Sequence, residues 1–311
     1  MAYRFTLEQS VVQNVRRIAL AEVESALALC GNDGGDREDT VHDLRKKCKR
    51  MRGLIRLMRG PLEADGKYEA DNAFFRDAAR ALGSVRDSQV MIETYDKTMK
   101  RFAGEVDRRH LAPIRRALTL HERAVNRRDD LAARLAAFRD RMLEAREHIE
   151  DWRIEDDGYE AVREGFTRSY RRGRKAMAAA FIGPTDENFH AWRKHAKYHW
   201  YHTRLLEPVW KSEMKARRRE AKELGEVLGD HHDLAMLRGH LAGQNGRVHE
   251  FNALMDRRSV ELAASARILG ERLYAAKPKA LAADVGNWWH ARVDELMTKH
   301  GRNNGPSRLT H

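Results

Sequence analysis

An apolar pattern and a basic pattern run side by side at helical spacing between residues 41 and 59. Residues three and four apart stack on one side of an α-helix, so each pattern marks one stripe of the same helix. The apolar stripe comprises Val41, Leu44, Cys48, Met51, Ile55 and Met58. The basic stripe comprises His42, Arg45, Lys49, Arg52, Arg56 and Arg59. The pattern predicts a helix that packs through one side and presents cations on the other.

Helical periodicity extends along most of the chain, and no stretch shows the alternation of a strand. Only 6 prolines occur in 311 residues, which together with abundant Ala, Leu, Arg and Glu favours an all-α fold. The predicted helical stretches are 6–29 with Thr6 as N-cap, 41–59 with Asp39 or Thr40 as N-cap and an end at Gly60-Pro61, 68–99 with a kink at Gly83, two between 107 and 149 broken near Asn126, 167–181, and 189–207.

The pattern of the 41–59 helix returns 148 residues later, in the stretch 189–207. The shift places His42 on His190, Arg45 on Arg193, Lys46 on Lys194, Lys49 on Lys197 and Arg56 on Arg204. Downstream, Leu82-Gly83 with Asp87 matches Leu228-Gly229 with Asp233 at an offset of 146. Because order and gaps both recur, the sequence predicts an internal duplication, with helical bundles at residues 1–150 and 151–311.

Charge narrows the range of partners. The formal net charge is +12, which favours a polyanionic partner without naming it. Within residues 41–59, eight Lys and Arg face a single acid, Asp43, so i,i+4 pairing cannot neutralise them. With no apolar run of 18 residues, no signal-peptide pattern at the start and only two cysteines, we expect a cytoplasmic protein without contact with a membrane.

A duplicated unit made of a Lys- and Arg-rich His-x-x-Arg helix followed by an LGxxxD helix resembles the CHAD family, the conserved histidine α-helical domain. The resemblance implies one domain of two bundles related by a pseudo-twofold axis, with basic helices lining a central groove or pore. It also implies inorganic polyphosphate as ligand, and a role in targeting to polyphosphate granules or in phosphate storage. The expected binding residues are His42, Arg45, Lys46, Lys49, Arg52, Arg56, Arg76, Arg86, Arg171, Arg174, Lys175, His190, Arg193, Lys194, Lys197, Arg204 and Lys222.

The second repeat departs from the first in two ways. Trp200 stands ten positions after the repeat's histidine, where the first repeat has Arg52. His195, His199 and His202 are additional, which predicts a wall that binds anions more strongly once its histidines are protonated. Their i, i+4, i+7 spacing could also converge on a metal together with His231, His232 and Asp233, although neighbouring Lys194 and Lys197 oppose a dication.

Three functional alternatives follow from the sequence. Binding of polyphosphate needs only successive cations, whose forked hydrogen bonds clamp successive phosphates. Nonspecific nucleic-acid binding is the alternative from another class, but the aromatic residues that could stack bases, Trp192, Tyr198, Trp200 and Tyr201, occur in the second repeat only. A His-rich metal-dependent phosphohydrolase is the third. Because the sequence has no phosphate-binding Gly-rich loop, HExxH motif or nucleophile elbow, we expect no catalysis, no cofactor and no metal. Asp87 and Asp233 are predicted to orient arginines rather than act as bases.

Overall fold

The computed structural model describes residues 3–31, 37–128, 130–242 and 247–303; side chains are described within these ranges except at 37, 38, 84–86, 126, 128, 247 and 300–303. These residues form helices and connecting turns with no strand, so the predicted all-α class is confirmed. The helices are α1 Val11–Cys30, α2 Arg37–Leu57, α3 Arg59–Ala64, α4 Tyr68–Ala81, α5 Ser84–Arg101, α6 Arg108–Arg128, α7 Leu131–Glu150, α8 Glu160–Ile182, α9 Asp186–Leu205, α10 Lys211–Leu241, α11 Arg247–Leu273 and α12 Pro278–Asn303.

The start of α1 differs from the prediction. Ser10, not Thr6, is the N-cap, and it forms a reciprocal capping box with Gln13. The backbone N–H of Thr6 instead donates to Oδ1 of Asn14, 2.7 Å away, within the turn that precedes the helix. A capping box satisfies two orphan N–H groups at once, whereas a cap at Thr6 would satisfy one. The paired Ser and Gln therefore determine where the helix begins.

The ends of α2 and α4 also differ from the prediction. Helix α2 begins at Arg37, so Asp39 and Thr40 lie inside the helix and not at the position that precedes it. It ends at Leu57, and α3 then carries Gly60-Pro61 within its first turn, where proline is tolerated because its missing N–H would have no intrahelical partner. The predicted kink at Gly83 is a complete break between α4 and α5, whereas α10 continues unbroken through Gly229.

Two apolar cores hold the helices together, and both combine side chains from before and after residue 150. The larger core joins α1 and α2 to α8 and α9, with fully buried residues such as Leu44 and Trp192. The smaller one packs α5 and α6 against parts of α10 and α11, around Phe102 and Phe251. The division into bundles at 1–150 and 151–311 stays a prediction, since neither core is confined to one half.

Helices α2 and α9 are in direct contact at Gly53, in the C-terminal part of α2. A Cβ on Gly53 would lie 2.8 Å from Cβ of Tyr201, so only glycine lets the two helices approach this closely. The ring Nε2 of His202 lies 3.0 Å from the carbonyl oxygen of Gly53. Helix α8 adds a third close approach, because a Cβ on Gly165 would overlap the carbonyl oxygen of Leu57. These contacts fix the relative position of the two basic helices.

Candidate anion-binding site

The apolar stripe of α2 is buried along its whole length. Val41, Leu44, Cys48, Met51, Ile55 and Met58 are each at most 1% exposed. Most of the adjacent basic positions remain accessible, with His42, Lys46 and Lys49 exposed and Arg45, Arg52 and Arg56 half-buried. Arg59 is the exception, because it begins α3, is 8% exposed and pairs with Glu63. Burial of the apolar stripe therefore anchors the helix and orients its cations toward the neighbouring helices and solvent.

Three cations of α2 and α9, Arg45, Arg193 and Lys197, lie close enough to Lys49 to act on its charge, and we call these four residues the central cluster. Desolvation, followed by the charges of Arg45, Arg193 and Lys197, lowers the pKa of Lys49 to about 8. Lys49 is nevertheless exposed by surface area. Desolvation and then Arg193 likewise lower the pKa of Lys197.

The LGxxxD motifs lie against the arginines of the central cluster. A Cβ on Gly83 would lie 2.8 Å from Nη1 of Arg45, and Oδ1 of Asp87 is 3.7 Å from Nη2 of the same guanidinium. In the second repeat, a Cβ on Gly229 would lie 3.5 Å from Nε of Arg193. Desolvation lowers the pKa of Arg193, and Asp233 opposes that shift. At Gly83 the missing Cβ leaves room for the arginine, whereas a Cβ at Gly229 would make only an ordinary contact. In both motifs the carboxylate is placed to orient the arginine.

Beyond the central cluster, a group that we call the tyrosine end contains Arg52, Arg56, Tyr198, His195 and Arg172. The guanidinium carbon of Arg56 lies 4.2 Å from the centroid of the Tyr198 ring, and that of Arg52 lies 6.0 Å from it. Both are cation–π distances. Nε of Arg52 also donates to Oδ1 of Asn72, at 3.2 Å. The neutral ring holds two cations in place without neutralising them.

Sequence reasoning missed Arg172. It stands in the basic run 171–175 of α8, from which the sequence analysis selected Arg171, Arg174 and Lys175 instead. Desolvation, followed by the charges of Arg168, Arg59 and others including Arg56, lowers its pKa. Its position beside α9 follows from the packing of α8, which buries Phe166 and Tyr170. Helical phase relative to these aromatic residues was the signal that could have identified it.

A second group, which we call the glutamate end, surrounds Arg204 and lies apart from the central cluster. It contains Arg4, Lys47, Arg50, Arg204 and Arg218 together with the buried carboxylates Glu22 and Glu207. Oε1 of Glu22 is 3.1 Å from Nη1 of Arg50, and its Oε2 is 3.3 Å from Nζ of Lys47. Arg218 donates to Glu207, and Arg4 lies 3.8 Å from it. The guanidinium carbon of Arg204 lies 5.8 Å from the centroid of Tyr3.

Most of the remaining predicted site residues have local partners or lie elsewhere. Lys46 pairs with Asp43 at 3.3 Å and Lys222 with Glu226 at 3.3 Å, while Arg76 forms two hydrogen bonds to Asp77. On α8, Arg171, Arg174 and Lys175 are exposed. Arg171 lines a separate depression with Lys279, and Arg174 lies near the carbonyl oxygen of Ala276. Lys194 is exposed on α9. The side chain of Arg86 lies outside those that the structure describes, so its role in binding stays a prediction.

The histidines of the second repeat do not behave as predicted. Burial lowers the pKa of His195 to about 4 and that of His202 to about 3, and it also lowers the pKa of fully buried His199. These lowered pKa values oppose the predicted strengthening of binding at mildly acidic pH, because burial of His199 and His202 in the core and partial burial of His195 disfavour the charged rings. The rings of His190 and His232 are tilted against each other with centroids 4.2 Å apart, and desolvation lowers the pKa of each to about 4.

The predicted convergence of histidines on a metal is not seen in the described part of the chain. Across the described side chains, no group of three or more His, Cys, Asp or Glu could hold a metal ion. His199 and His202 lie in the apolar core rather than converging with His231 and Asp233. Of the helices in the described ranges, none combines the length and the apolar character that crossing a bilayer requires.

Comparison with known proteins identifies the family. The CHAD domain model matches residues 19–242. Two uncharacterized proteins of Mycobacterium tuberculosis, from strains CDC 1551 / Oshkosh and H37Rv, are 27% identical over 252 residues, which make up 74% of this chain and 45% of theirs. The chain thus spans less than half the length of these curated relatives. The crystal structure of the CHAD domain from the plant Ricinus communis is similar with a TM-score of 0.48 and 18% identity, over 88% of this chain and 89% of that one. Because the family model covers more than half of the chain, this protein belongs to the CHAD domain family.

Proposed function

We propose that the protein binds inorganic polyphosphate along the surface formed by α2 and α9. The observation that carries this proposal is the central cluster, in which equivalent positions of two similar helices bring Arg45, Lys49, Arg193 and Lys197 within electrostatic reach. Close like charges repel, and the charges of Arg45, Arg193 and Lys197 add to desolvation in lowering the pKa of Lys49. A bound polyanion converts that repulsion into attraction. The cluster is therefore best satisfied by a ligand that carries several negative charges.

A polymer fits this surface better than a single phosphate. The cations continue from the central cluster to Arg52 and Arg56, one and two helical turns beyond Lys49 along α2, and then to Arg172 on α8. Arginine donates forked hydrogen bonds to phosphate oxygens, so successive guanidiniums can bind successive phosphates of one chain. Targeting to polyphosphate granules or service in phosphate storage would follow from such binding.

We propose binding without chemical change. Asp87, a carboxylate near the central cluster, lies 3.7 Å from Arg45, and the sequence offers no motif for phosphoryl transfer. Purified protein incubated with polyphosphate and Mg²⁺ or Mn²⁺ is expected to leave the chain-length distribution on a gel unchanged. Shortening or extension that disappears in Asp87→Asn would contradict this and favour the phosphohydrolase alternative.

Nucleic acid is the alternative ligand, and Tyr198 and Trp200 beside cations are the observation in its favour. Tyr198 is buried, however, and both flanking arginines already occupy it, so its ring is not free to stack a base. Competition among polyphosphate, DNA and RNA at about 0.15 M salt tests the choice, since salt suppresses weak electrostatic binding. Polyphosphate is expected to displace both nucleic acids. Displacement of bound polyphosphate by DNA or RNA at equal phosphate concentration would overturn the proposal.

A further inference from the structure

We propose that the binding surface is one-sided: a polyanion occupies the central cluster and the tyrosine end, while the glutamate end is closed to it by Glu22 and Glu207. The inference rests on the proposed function and concerns which part of the duplicated surface the ligand uses. Arg56 and Arg204 are equivalent in the duplication, so a symmetric site would use both. The two residues have different surroundings, and that difference carries the argument.

At the tyrosine end the cations are available. Among the residues that the structure describes, no carboxylate forms an ion pair with Arg52, Arg56 or Arg172. Tyr198, Asn72 and Tyr68 are the contacts of the first two, and all three are neutral groups. The Nε–H of Arg56 is buried and has no hydrogen-bond acceptor. A phosphate arriving here meets three cations whose charges are not neutralised, and it displaces no anion.

At the glutamate end most cations are already engaged. Within the described part of the chain, four of its five cations lie within 4 Å of Glu22 or Glu207, which leaves Arg204 as the exception. Both carboxylates are only about 6% exposed, so water screens them weakly and the pairs are hard to separate. An arriving phosphate would have to displace a buried carboxylate or accept its repulsion. Net charge is similar at the two ends, but the number of available cations differs by a factor of three.

The neighbouring position of the second repeat strengthens this asymmetry. Trp200 occupies the position that corresponds to Arg52, and its ring packs against Tyr201 with centroids 4.8 Å apart. Lys197 lies over the same ring at 5.5 Å. A polyanion that extends from the central cluster toward Arg204 would therefore meet the apolar ring of Trp200, whereas one that extends toward Arg56 would meet the guanidinium of Arg52. The buried carboxylates and the ring of Trp200 thus both favour binding of a polyanion at the tyrosine end over the glutamate end.

Matched variants test the proposal: Arg56→Gln and Arg204→Gln remove one half-buried guanidinium each from equivalent positions. At about 0.15 M salt, Arg56→Gln should weaken polyphosphate binding about tenfold or more, the size expected from losing one charge-assisted hydrogen bond, and Arg204→Gln by less than about twofold. Circular dichroism confirms that both variants are folded. Equal losses in the two variants would overturn the one-sided surface. No polyphosphate binding by the unmodified protein would overturn the proposed function instead.

A second variant tests the cause. Glu22→Gln with Glu207→Gln keeps the side-chain shapes while it releases four cations, and it should tighten polyphosphate binding. In that background Arg204→Gln should become costly, because the glutamate end is now open. If affinity is unchanged and Arg204→Gln still has no effect, the carboxylates are not what closes this end. If the double variant does not fold, the comparison of Arg56→Gln with Arg204→Gln decides alone.

Discussion

Reversing the charges of Arg45 and Arg193 together is expected to reduce polyphosphate binding by about a hundredfold or more. Each change deletes a forked donor worth on the order of 1.5 to 3 kcal/mol and adds a carboxylate to the same cluster. The charges of both guanidiniums act on Lys49, so the reversal changes the electrostatic potential at the centre of the surface. Titration of labelled polyphosphate into Arg45→Glu/Arg193→Glu at about 0.15 M salt gives the affinity directly.

The control carries the same change in net charge at a distant place. Arg116 and Arg123 are exposed on α6, a helix that packs in the smaller core. Arg116→Glu/Arg123→Glu should weaken binding only slightly, and mainly at low salt, because long-range charge is screened over about 8 Å at physiological ionic strength. If both double variants lose the same affinity, polyphosphate is attracted by a diffusely basic protein and not by the α2–α9 surface.

Acidification is expected to unfold the protein well above the pH at which ordinary carboxylates titrate. His202 is fully buried and its pKa is lowered from 6.5 to about 3, so the unfolded chain takes up a proton that the folded protein rejects. Stability from such a group is complete above pH 6.5 and is lost as the pH falls toward the folded pKa. For His202 alone the loss by pH 4 is on the order of 3 kcal/mol. His199, His195, His190 and His232 act in the same direction.

Thermal unfolding followed by circular dichroism between pH 7.5 and 4 measures this effect. His202→Gln should lower the pH dependence by the share of one histidine, since the amide can still donate to the carbonyl of Gly53. The matched control His249→Gln changes an exposed histidine and should leave the pH dependence as it is. A midpoint that stays constant down to pH 4.5 would show that the buried rings do not resist protonation.

Sequence predicted the parts of this molecule that depend on local periodicity. The stripes of α2 repeat every three or four residues, and burial follows the apolar stripe from Val41 to Met58. Gly83 marked the place where the helix is interrupted, although the sequence predicted a kink and the structure has a break. Capping was predicted less well, because Ser10 and Thr6 are both plausible caps and only the partner Gln13 distinguishes them. Local rules therefore gave most helices of the first 207 residues and the buried side of α2, but neither α3 nor α10 to α12, and not every boundary.

The chemistry that sequence could not predict depends on partners that are distant in the chain. Glu22 lies 28 residues from Arg50, and Tyr198 lies 142 residues from Arg56, so no periodicity connects them. Histidines that look like proton-binding groups on a helix, such as His199, are neutral because other helices cover them. Whether a cation is available or already paired is likewise a property of the packing, as Arg56 and Arg204 illustrate.

The mixing of early and late segments in both cores has a consequence for biosynthesis. Helices α5 and α6 bury Phe102 and Leu111 against a surface that includes Phe251, so they cannot complete their core until more than a hundred further residues have been made. Such long-range contacts slow folding and leave apolar surface uncovered meanwhile. The apolar surface that α5 and α6 contribute to the smaller core would therefore stay uncovered until α10 and α11 emerge from the ribosome.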